Sequence, residues 1–468
     1  MHLLKDVLNL IDIKCESEIE VKGITNDSRK VKEGYIFYAS NGYHHKVDDF
    51  IKDAFKNKAV AVINEEIEGE FIYKVHNIKE KLPIIAKYIY DLDFDSFKCY
   101  GFTGTNGKTT TTSLIHEVLK YNKIDSTLIG TNGVYYNDEH FELNNTTPSL
   151  LELYSIFYES EKRNIKNIVM EVSSHAIELK RIEGIKFDII GFTNISHDHL
   201  DFHKTIENYA NAKYKLTKYL KKDGLIIYNA DDNLIRNYNL KNFKTISFGV
   251  YNGEFKIENI RLSINDSTFF IDKKEINSSL TCLFNIYNIT LAYLTLLNMN
   301  IKSNDIIKSI KNIKSIDGRM QKMIINNRYI YIDFAHSPDS IEKVLVFVKP
   351  LAKKKLIVVF GAGGDRDKTK RPKMLEVCLK YANKVYVTSD NPRFEDPISI
   401  INDVTKNRMS YKVIRYLSRE DAIKDAIKYS NELDTIIILG KGNETYQIIN
   451  DIKIPYSDLE VVESCKMN

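Results

Sequence analysis

The sequence predicts an α/β protein of three domains, which we place at residues 1–92, 93–319 and 320–468. Its 468 residues exceed what a single hydrophobic core usually holds. From about residue 93, short apolar runs alternate with amphipathic runs, which is typical of a mainly parallel sheet with helices on both faces. A glycine-rich loop also joins an apolar run to an amphipathic run early in the second domain. We therefore expect a small α/β domain, a central domain with a mainly parallel sheet, and a C-terminal α/β domain.

The glycine-rich loop lies in residues 101–113, Gly-Phe-Thr-Gly-Thr-Asn-Gly-Lys-Thr-Thr-Thr-Thr-Ser. Its glycines let backbone N–H groups approach a phosphate, while Lys108 offers a cation and Thr109 a hydroxyl for Mg²⁺. Phe102 stands where a strict Walker A motif has its first glycine, so the loop is a variant. The sequence therefore predicts a central P-loop ATPase domain. The loop residues expected to bind ATP are Gly104, Thr105, Asn106, Gly107, Lys108, Thr109 and Thr110.

The composition excludes several classes of protein. The 67 Lys and Arg residues nearly balance the 63 Asp and Glu residues and form no basic block, so we expect no nucleic-acid partner. The five cysteines are scattered and form no C-x-x-C pair, as in a reduced cytoplasmic protein. No basic and apolar leader and no run of about 18 apolar residues is found. We expect a cytoplasmic protein that does not span a membrane.

The first domain contains strand-like runs at Gly34–Ala39 and Ala59–Ile63 and a helical run at Phe50–Phe55. Two polar segments, Thr25–Arg29 and Asn41–His45, consist of residue types that favour turns. From the residues alone, turns are the better interpretation of both segments.

Two apolar runs of the central domain end in polar segments. Ile165–Val169 leads into Glu171, and Phe187–Thr193 leads into the segment 194–203. In a parallel sheet, functional residues gather at the carboxyl ends of the strands. Glu171 is placed like the second acidic group of an ATPase, which reaches Mg²⁺ from a neighbouring strand.

The segment 194–203 contains His197, His199 and His203. Three imidazoles are compatible with a zinc site, and this alternative remains open. A magnesium site linked to ATP accounts for His199 equally well, provided that an anionic ligand lies beside it.

The following run, Glu207 to Leu220, predicts a helix in which Tyr209, Lys213 and Leu216 share the apolar face with Leu220. Lys213 is thus expected to point inward. Burial lowers the pKa of a lysine, and a neutral amine can take up carbon dioxide to form a carbamate. Such a carbamate would supply oxygen ligands for a second metal ion.

The C-terminal domain shows three apolar runs that predict parallel strands, at Leu356–Phe360, Lys384–Thr388 and Thr435–Leu439. Polar or glycine-rich loops follow each run, at 361–371, 389–397 and 440–447. Because these loops follow parallel strands, Arg366, Asn391, Arg393 and Glu444 are expected to meet at one edge of the sheet. The segment Gly361–Gly364 is not a complete G-x-G-x-x-G, so an NAD site is disfavoured.

Several segments resemble the Mur ligases: 104–111, Asn145–Pro148, Glu171–His175, Asn194–His203 and Tyr209–Lys213. Within this family the match is to the members that add the third peptide residue to the peptidoglycan precursor. The resemblance implies a first domain that binds the UDP end of the substrate, a central ATP-binding domain, and a C-terminal Rossmann-like domain that holds the incoming amino acid. It also implies an ADP-forming ligase that acts through an acyl phosphate in the synthesis of the cell wall.

The resemblance assigns roles residue by residue. For the UDP-muramoyl-dipeptide it implies Ser28, Asn41, Gly42, Tyr43, His44, His45, Asn145, Thr146, Thr147, Ser173 and Arg181. These roles replace the interpretation of the segments Thr25–Arg29 and Asn41–His45 as turns. For ATP it adds Asn285, Asn288, Arg319, Asp333 and His336. For two magnesium ions it implies Thr109, Glu171, His199 and Lys213 as a carbamate, with Lys108, Lys213, His199 and Glu171 as the catalytic residues. For the amino acid it implies Arg366, Asp390, Asn391, Pro392, Arg393, Gly440 and Glu444.

The segment Asn391-Pro392-Arg393 resembles the signature of the members that add meso-2,6-diaminopimelate. Arg393 offers a planar guanidinium for the second carboxylate of that amino acid. Meso-lanthionine also carries an amino group and a carboxylate at each of its two ends, so it remains an alternative. The alternatives are the same ligase acting on L-lysine, a folylpolyglutamate-type ligase, and a P-loop ATPase that works as a switch or motor. We expect small-molecule substrates only and a monomer.

Overall fold

The computed structural model describes residues 2–40, 47–263, 265–406, 410–450 and 452–466. The predicted UDP-contacting residues Asn41, Gly42, Tyr43, His44 and His45 lie outside the described residues.

The chain divides into two compact units. The first contains Met1–Gly101, Asp125–Asp188 and Lys215–Asp223, and the second contains Phe102–Ile124, Ile189–Tyr214 and Gly224–Asn468. The predicted central domain is thus shared between the two units, and the boundaries at residues 92 and 319 remain predictions.

The N-terminal part of the first unit is a small α/β structure. Four of its strands, β3 to β6, form a parallel sheet in the order β3-β4-β5-β6. Helix α2 packs Ile51 and Ala54 against this sheet, in one apolar cluster with Phe37 and Val62. The elements are β1 (His2–Leu3), α1 (Leu4–Asn9), β2 (Glu20–Val21), β3 (Gly23–Thr25), β4 (Tyr35–Tyr38), α2 (Val47–Lys56), β5 (Ala61–Asn64), β6 (Ile72–Lys74) and α3 (Ile78–Ile89).

The segment that follows supplies strands to both units. In the first unit β8 pairs in parallel with β11 and antiparallel with β9. In the second, β13, β14 and β15 are parallel, and β16 and β17 extend them antiparallel. The elements are β7 (Lys98–Thr103), α4 (Lys108–Tyr121), β8 (Ser126–Gly130), β9 (Gly133–Tyr136), β10 (Glu139–Phe141), α5 (Leu150–Lys162), β11 (Asn167–Glu171), α6 (Ser174–Glu178), β12 (Phe187–Phe192), α7 (Leu200–His203), α8 (Ile206–Tyr214), β13 (Leu220–Asn229), α9 (Asn233–Arg236), β14 (Lys244–Gly249), β15 (Phe255–Leu262), β16 (Ser267–Ile271), β17 (Lys274–Ser278), α10 (Leu283–Asn298) and α11 (Ser303–Asn312).

The helix predicted at Glu207 to Leu220 was too long. Helix α8 ends at Tyr214, Lys215–Tyr219 form a 3-10 turn, and Leu220 already belongs to strand β13. The apolar spacing that included Leu220 therefore continued past the end of the α-helix.

The C-terminal part of the second unit contains a six-stranded sheet in the order β18-β19-β23-β20-β21-β22. Only β18 runs antiparallel to its neighbour. The three predicted strands are confirmed, and apolar clusters with α12, α13 and α14 on one side and α15 and α16 on the other cover the sheet. The elements are β18 (Gln321–Ile325), β19 (Arg328–Asp333), α12 (Pro338–Leu351), β20 (Leu356–Ala362), α13 (Lys370–Tyr381), β21 (Lys384–Ser389), α14 (Pro397–Thr405), β22 (Val413–Arg415), α15 (Arg419–Lys428), β23 (Thr435–Leu439), β24 (Tyr446–Ile449), β25 (Ile452–Pro455) and α16 (Asp458–Ser464).

No helix in the described part of the chain is both long enough and apolar enough to span a membrane.

Candidate active site

The predicted phosphate loop connects the end of β7 to the first turn of α4. Gly107, which precedes the helix, has a φ of 89°, and Gly104 has a φ of 153°. A Cβ atom on Gly104 would lie 1.8 Å from the hydroxyl of Thr193, and one on Gly107 would lie 2.2 Å from Oδ1 of Asn288. Both positions therefore require glycine.

Two residues that the sequence did not single out hold this loop in shape. Asn194 accepts from the backbone N–H of Asn106 at 3.0 Å, and its amide donates to the carbonyl of Asn106 at 2.9 Å. The hydroxyl of Thr193 donates to the same carbonyl at 2.6 Å. Both residues directly follow β12. Their position at the carboxyl end of a parallel strand was the sequence signal that could have identified them as functional residues.

Two lysines meet at one carbonyl of the loop. Lys108 Nζ donates to the carbonyl oxygen of Gly104 at 2.7 Å, and Lys213 Nζ donates to the same oxygen at 2.9 Å. The side chain of Lys213 is only 1% exposed, which confirms the predicted inward orientation. Burial, together with the nearby charge of Lys108, moves the pKa of Lys213 well below its ordinary value. Lys213 is therefore a buried amine that is only weakly basic.

The residues expected on the nucleotide side also contact one another. Arg319 donates to the hydroxyl of Thr109 at 2.8 Å. Both carboxylate oxygens of Asp333 accept from backbone N–H groups, those of Met320 and Ala335, at 2.8 Å each. Asp333 thus fixes the segment that carries Arg319.

The predicted asparagine pair lies on α10. Asn288 donates to the side-chain oxygen of Asn285 at 3.3 Å, and Asn285 donates to the carbonyl of Thr281 at 2.7 Å. Since Asn288 also borders Gly107, this pair is placed beside the phosphate loop.

His199 and His336 flank a buried carboxylate, that of Asp198. His199 Nε2 lies 3.5 Å from Oδ2 of Asp198. Burial alone would raise the pKa of Asp198, but His199 and His336 overcome it and lower that pKa to about 2. The carboxylate is therefore negatively charged at neutral pH.

Asp339, at the start of α12, is a further residue that the sequence did not reveal. It accepts from the hydroxyl of Ser196 at 2.9 Å and from the amide of Asn106 at 3.5 Å. The C-terminal sheet and its helices are thereby tied to the phosphate loop.

The zinc alternative receives no support. Within the described residues no group of three or more His, Cys, Asp or Glu side chains is arranged to hold a metal ion.

The predicted dipeptide-binding residues form a hydrogen-bonded group in the first unit. Thr147 donates to the carbonyl of Glu171 at 2.9 Å and accepts from the backbone N–H of Ser173 at 3.0 Å. Arg181 donates to the carbonyl of Thr147 at 2.9 Å. Burial lowers the pKa of the Arg181 guanidinium and outweighs the opposing charge of Glu152.

Thr131 joins this group, although the sequence did not suggest it. Its backbone N–H donates to Glu171 at 2.8 Å, and its hydroxyl lies 3.1 Å from that of Thr146. Asn145 is exposed beside them. Thr131 directly follows β8, so the rule for strand ends again gave the signal.

The polar segment around Ser28 lies close to this group. Ser149 donates to Asn26 at 3.1 Å, and Lys30 pairs with Glu152 at 2.5 Å. Ser28 itself is buried at the start of a short 3-10 turn. Two predicted parts of the substrate site are therefore brought together within one unit.

The predicted amino-acid residues meet above the C-terminal sheet. Asn391 donates to Glu444 at 2.9 Å, and Lys441, which the sequence did not single out, donates to both, at 2.7 Å to Glu444 and at 3.0 Å to Asn391. Asp390 is buried next to Gly440, where a Cβ atom would lie 2.6 Å from its carboxylate.

Arg393 follows Pro392 in the same loop. One nitrogen, Nη1, donates to the carbonyl of Gly364 at 2.8 Å and is 3.4 Å from that of Asn391. Within the described part of the chain, its Nε and Nη2 atoms have no hydrogen-bond partner. Burial and the nearby Arg366 lower the pKa of Arg393. The Nε and Nη2 edge of the Arg393 guanidinium is thus available to bind a carboxylate in bidentate fashion.

Arg371 and Glu395 connect the two loops that carry Arg366 and Arg393. Arg371 is almost completely buried, and its two terminal nitrogens donate to the two oxygens of Glu395 at 2.8 Å and 3.1 Å. Glu395 also accepts from the backbone N–H of Asp365 at 2.6 Å. The relative position of the two arginine-bearing loops therefore depends on this buried ion pair.

The second unit thus combines a phosphate loop on an α/β fold with a cluster of charged and polar side chains above the C-terminal sheet, a combination that suits an ATP-dependent ligase acting on an amino acid. Two family models match the chain: the Mur ligase middle domain over residues 102–296 and the Mur ligase, glutamate ligase domain over residues 318–442. The chain belongs to the Mur ligase family and is an ATP-dependent ligase.

Curated relatives match over nearly the whole chain. A UDP-N-acetylmuramoyl-L-alanyl-D-glutamate–2,6-diaminopimelate ligase of Bacillus cereus is 35% identical and covers 99% of this chain and 97% of its own length. A ligase of the same name from Fusobacterium nucleatum is 38% identical, with 94% of this chain and 92% of the relative covered. A solved structure of a ligase with that name has a TM-score of 0.65 at 29% identity, with 98% of each chain covered.

Proposed function

We propose that this protein attaches 2,6-diaminopimelate to the D-glutamate of UDP-N-acetylmuramoyl-L-alanyl-D-glutamate, with ATP converted to ADP and phosphate. The reaction would take place in the cytoplasm and supply a precursor of peptidoglycan. Relatives that bear this name and cover nearly all of the chain support the proposal. The single observation that carries the choice of amino acid is the open edge of Arg393 beside Glu444 and Asn391.

The reaction has two steps. A γ-carboxylate oxygen of D-glutamate attacks the γ-phosphorus of ATP, the bond to the β-phosphate oxygen breaks, and ADP leaves. The amine of the incoming amino acid then attacks the carbonyl carbon of the acyl phosphate. The tetrahedral intermediate loses phosphate, the amine loses a proton, and an amide remains. The established class of the enzyme, an ATP-dependent ligase, needs such an activated carboxyl group.

Lys108 and the first turn of α4 act on the phosphoryl group. In this structure Lys108 is held by the carbonyls of Gly104 and Thr105, at 2.7 Å and 3.0 Å. A bound triphosphate would replace these carbonyls as the partner of the ammonium. Charge stabilisation by a preorganised cation and helix N-terminus contributes several kcal/mol in comparable sites, on the order of 3 kcal/mol per donor group.

The residues present fit the magnesium ions that the family resemblance implies. Thr109 offers a hydroxyl oxygen and His199 an imidazole, and Lys213 is a buried, weakly basic amine suited to form a carbamate. The metal role of Glu171 rests on the resemblance. Bound magnesium would neutralise charge on the phosphates. A carbamate on Lys213 would in turn remove the repulsion between its amine and Lys108.

The C-terminal pocket suits an amino acid with a second zwitterionic head. Its distal carboxylate would bind the Nε and Nη2 edge of Arg393, and its distal ammonium would donate to Glu444 and the carbonyl of Gly440. L-lysine lacks that carboxylate and would leave the half-buried guanidinium without an anion, at a cost of about 1–3 kcal/mol. Meso-lanthionine carries the same two heads and satisfies the same contacts. An ATPase that works as a switch or motor does not need a pocket for an amino acid, so this pocket favours the ligase.

Release of ADP by the purified protein tests the proposal. We expect it to require both the UDP-muramoyl-dipeptide and diaminopimelate, with ligated product detected by mass. Steady ADP release without either substrate would contradict a ligase of this specificity.

A further inference from the structure

Lys441 is a buried lysine of the amino-acid pocket to which no role has yet been given. Its side chain is 0% exposed. Its ammonium donates to Glu444 at 2.7 Å and to the side-chain oxygen of Asn391 at 3.0 Å. Burying a charged group costs free energy unless it is paired and hydrogen-bonded. The two contacts thus hold the cation directly beneath the residues expected to bind the distal head of the amino acid.

The charge of Lys441 also acts on the carboxylate of Asp390. Burial would raise the pKa of Asp390, but Lys441 and then Arg419 outweigh it and lower that pKa. Arg419 is already paired with Asp458, at 2.7 Å, where both side chains are 0% exposed. Arg419 also lies 3.9 Å from Asp390. Among the described residues, Lys441 is therefore the cation in ion-pair contact with Glu444, whereas Arg419 is the cation within 4 Å of Asp390.

The charges that face the pocket are balanced in number. Arg393, Lys441 and Arg419 are positive, and Asp390, Glu444 and Asp458, the partner of Arg419, are negative, while exposed Asp365 and Arg366 add one charge of each sign. A neutral pocket with separated charges suits a zwitterionic head, whose carboxylate and ammonium meet opposite charges. A lone ammonium, as at the end of L-lysine, would suit a pocket with a net negative charge.

We propose that Lys441 is a specificity-determining residue, whose buried ammonium neutralises Glu444 so that the pocket prefers a distal zwitterionic head to a lone distal ammonium. Such selection acts by disfavouring the wrong substrate as much as by binding the right one. The inference rests on the proposed function, because it assigns the pocket of that same reaction.

The test compares kcat/KM for diaminopimelate and for L-lysine in the full-length protein and four variants. Lys441→Met removes the charge, and Lys441→Arg retains it. The double variant Lys441→Met with Glu444→Gln restores the balance of charges. Lys380→Met is the matched control, because it also removes a lysine of the C-terminal domain that pairs with a glutamate. Lys380 on α13 lies 2.8 Å from Glu342 on α12.

We expect Lys441→Met to lower the ratio of kcat/KM for diaminopimelate over L-lysine by about tenfold or more. Lys441→Arg and Lys380→Met should keep the ratio within about threefold of the unchanged protein, and the double variant should recover part of the loss. Isotope exchange within ATP in the presence of the UDP-muramoyl-dipeptide alone reports the first step. Lys441→Met should preserve it, since no amino acid is involved.

An equal fall for both amino acids in Lys441→Met, or no change for either, would overturn the role in specificity. The same conclusion would follow if the double variant were no more selective than Lys441→Met. Lys441→Met could lose isotope exchange through misfolding. In that case, a fall in the ratio of kcat/KM for diaminopimelate over L-lysine in Lys441→Arg would overturn the role of Lys441 in specificity. A failure of the proposed function is distinguishable, because the unchanged protein would then not prefer diaminopimelate.

Discussion

Lys108 is the residue on which the phosphoryl transfer depends most. Its ammonium donates to two carbonyls of the loop, and the neighbouring Lys213 is a poor substitute because burial and the charge of Lys108 lower its pKa. We expect Lys108→Ala to abolish detectable turnover, a loss of about 3 kcal/mol or more of barrier stabilisation. The measurement is ADP release with saturating substrates. Lys311→Ala, an exposed lysine on α11, is the control and should leave activity unchanged.

Lys213 is predicted to function as a carbamate. Its burial and its shared acceptor with Lys108 make a second positive charge at this position unfavourable. We expect Lys213→Ala to be inactive and to regain part of its activity with small carboxylic acids, and the mass of the intact protein to include one added carboxylate. The control is Lys215→Ala, which removes a more exposed lysine of the following turn. Full activity of Lys213→Ala without any additive would contradict the carbamate.

Arg393 is predicted to bind the distal carboxylate. Arg393→Ala should lower kcat/KM for diaminopimelate by about tenfold or more, ~1.4 kcal/mol of transition-state binding, with little change in the KM for ATP. Arg393→Lys keeps the charge but loses the planar fork, so it should recover only part of the loss. Arg415→Ala, an exposed arginine on β22, serves as the control. An equal loss of ATP affinity in Arg393→Ala would show that the residue supports the fold rather than the amino acid.

At the scale of the elements, the Arg371–Glu395 pair connects the loop after β20 with the loop after β21. Hydrogen bonds from Arg371, together with those from Lys368 and the backbone N–H of Asp365, lower the pKa of Glu395 from 4.5 to about 2. Because the folded-state pKa is the lower one, the pair stabilises the fold fully above about pH 4.5, and this contribution disappears as the pH falls toward 2. Acid should therefore loosen the two arginine-bearing loops together.

Glu395→Gln tests this connection through stability. At pH 7 the variant should unfold at a lower temperature, since the buried guanidinium of Arg371 loses one of its two carboxylate partners, worth about 1–3 kcal/mol, and keeps the other, Asp403. At pH 3 its difference from the unchanged protein should be smaller. Glu420→Gln is the control, because it removes an exposed ion pair with Lys424 on α15. It should change the free energy of unfolding by no more than about 0.5 kcal/mol. A difference that is the same at pH 7 and pH 3 would show that Glu395 acts through shape rather than charge.

The sequence predicted the elements best where periodicity was strong. Strand β23 matches the predicted Thr435–Leu439, because an unbroken apolar run suits a strand that is buried on both faces. The helix that carries Lys213 was predicted with the correct buried face but the wrong end. Its spacing could not show that the backbone tightens after Tyr214 and that a strand begins at Leu220.

The residues that the sequence missed depend on partners distant in the chain. Lys441 lies between two glycines, a setting typical of an exposed loop, and only the fold brings Asn391 to accept from it. Asp339 and Thr131 likewise gain their roles from contacts with Ser196 and Glu171. By contrast, Lys108 and Arg393 belong to segments whose chemistry is evident from local sequence. Local chemistry was thus predictable, whereas the supporting contacts were not.

In the whole molecule, we assign ATP to the central domain and the choice of amino acid to the C-terminal sheet. These assignments explain why one chain carries both a phosphate loop and a pocket with balanced charges. They also imply that the first chemical step does not depend on the identity of the amino acid. Specificity should therefore appear in the second step and in kcat/KM for the amino acid.

The most direct test is a competition in one reaction between equal concentrations of diaminopimelate and L-lysine, with ATP and the UDP-muramoyl-dipeptide saturating. The two products differ in mass by one carboxyl group, so a single mass spectrum measures the preference. We predict that the diaminopimelate product exceeds the lysine product by about tenfold or more, because only diaminopimelate offers a distal carboxylate to Arg393. A predominance of the lysine product would contradict the assignment of the C-terminal pocket.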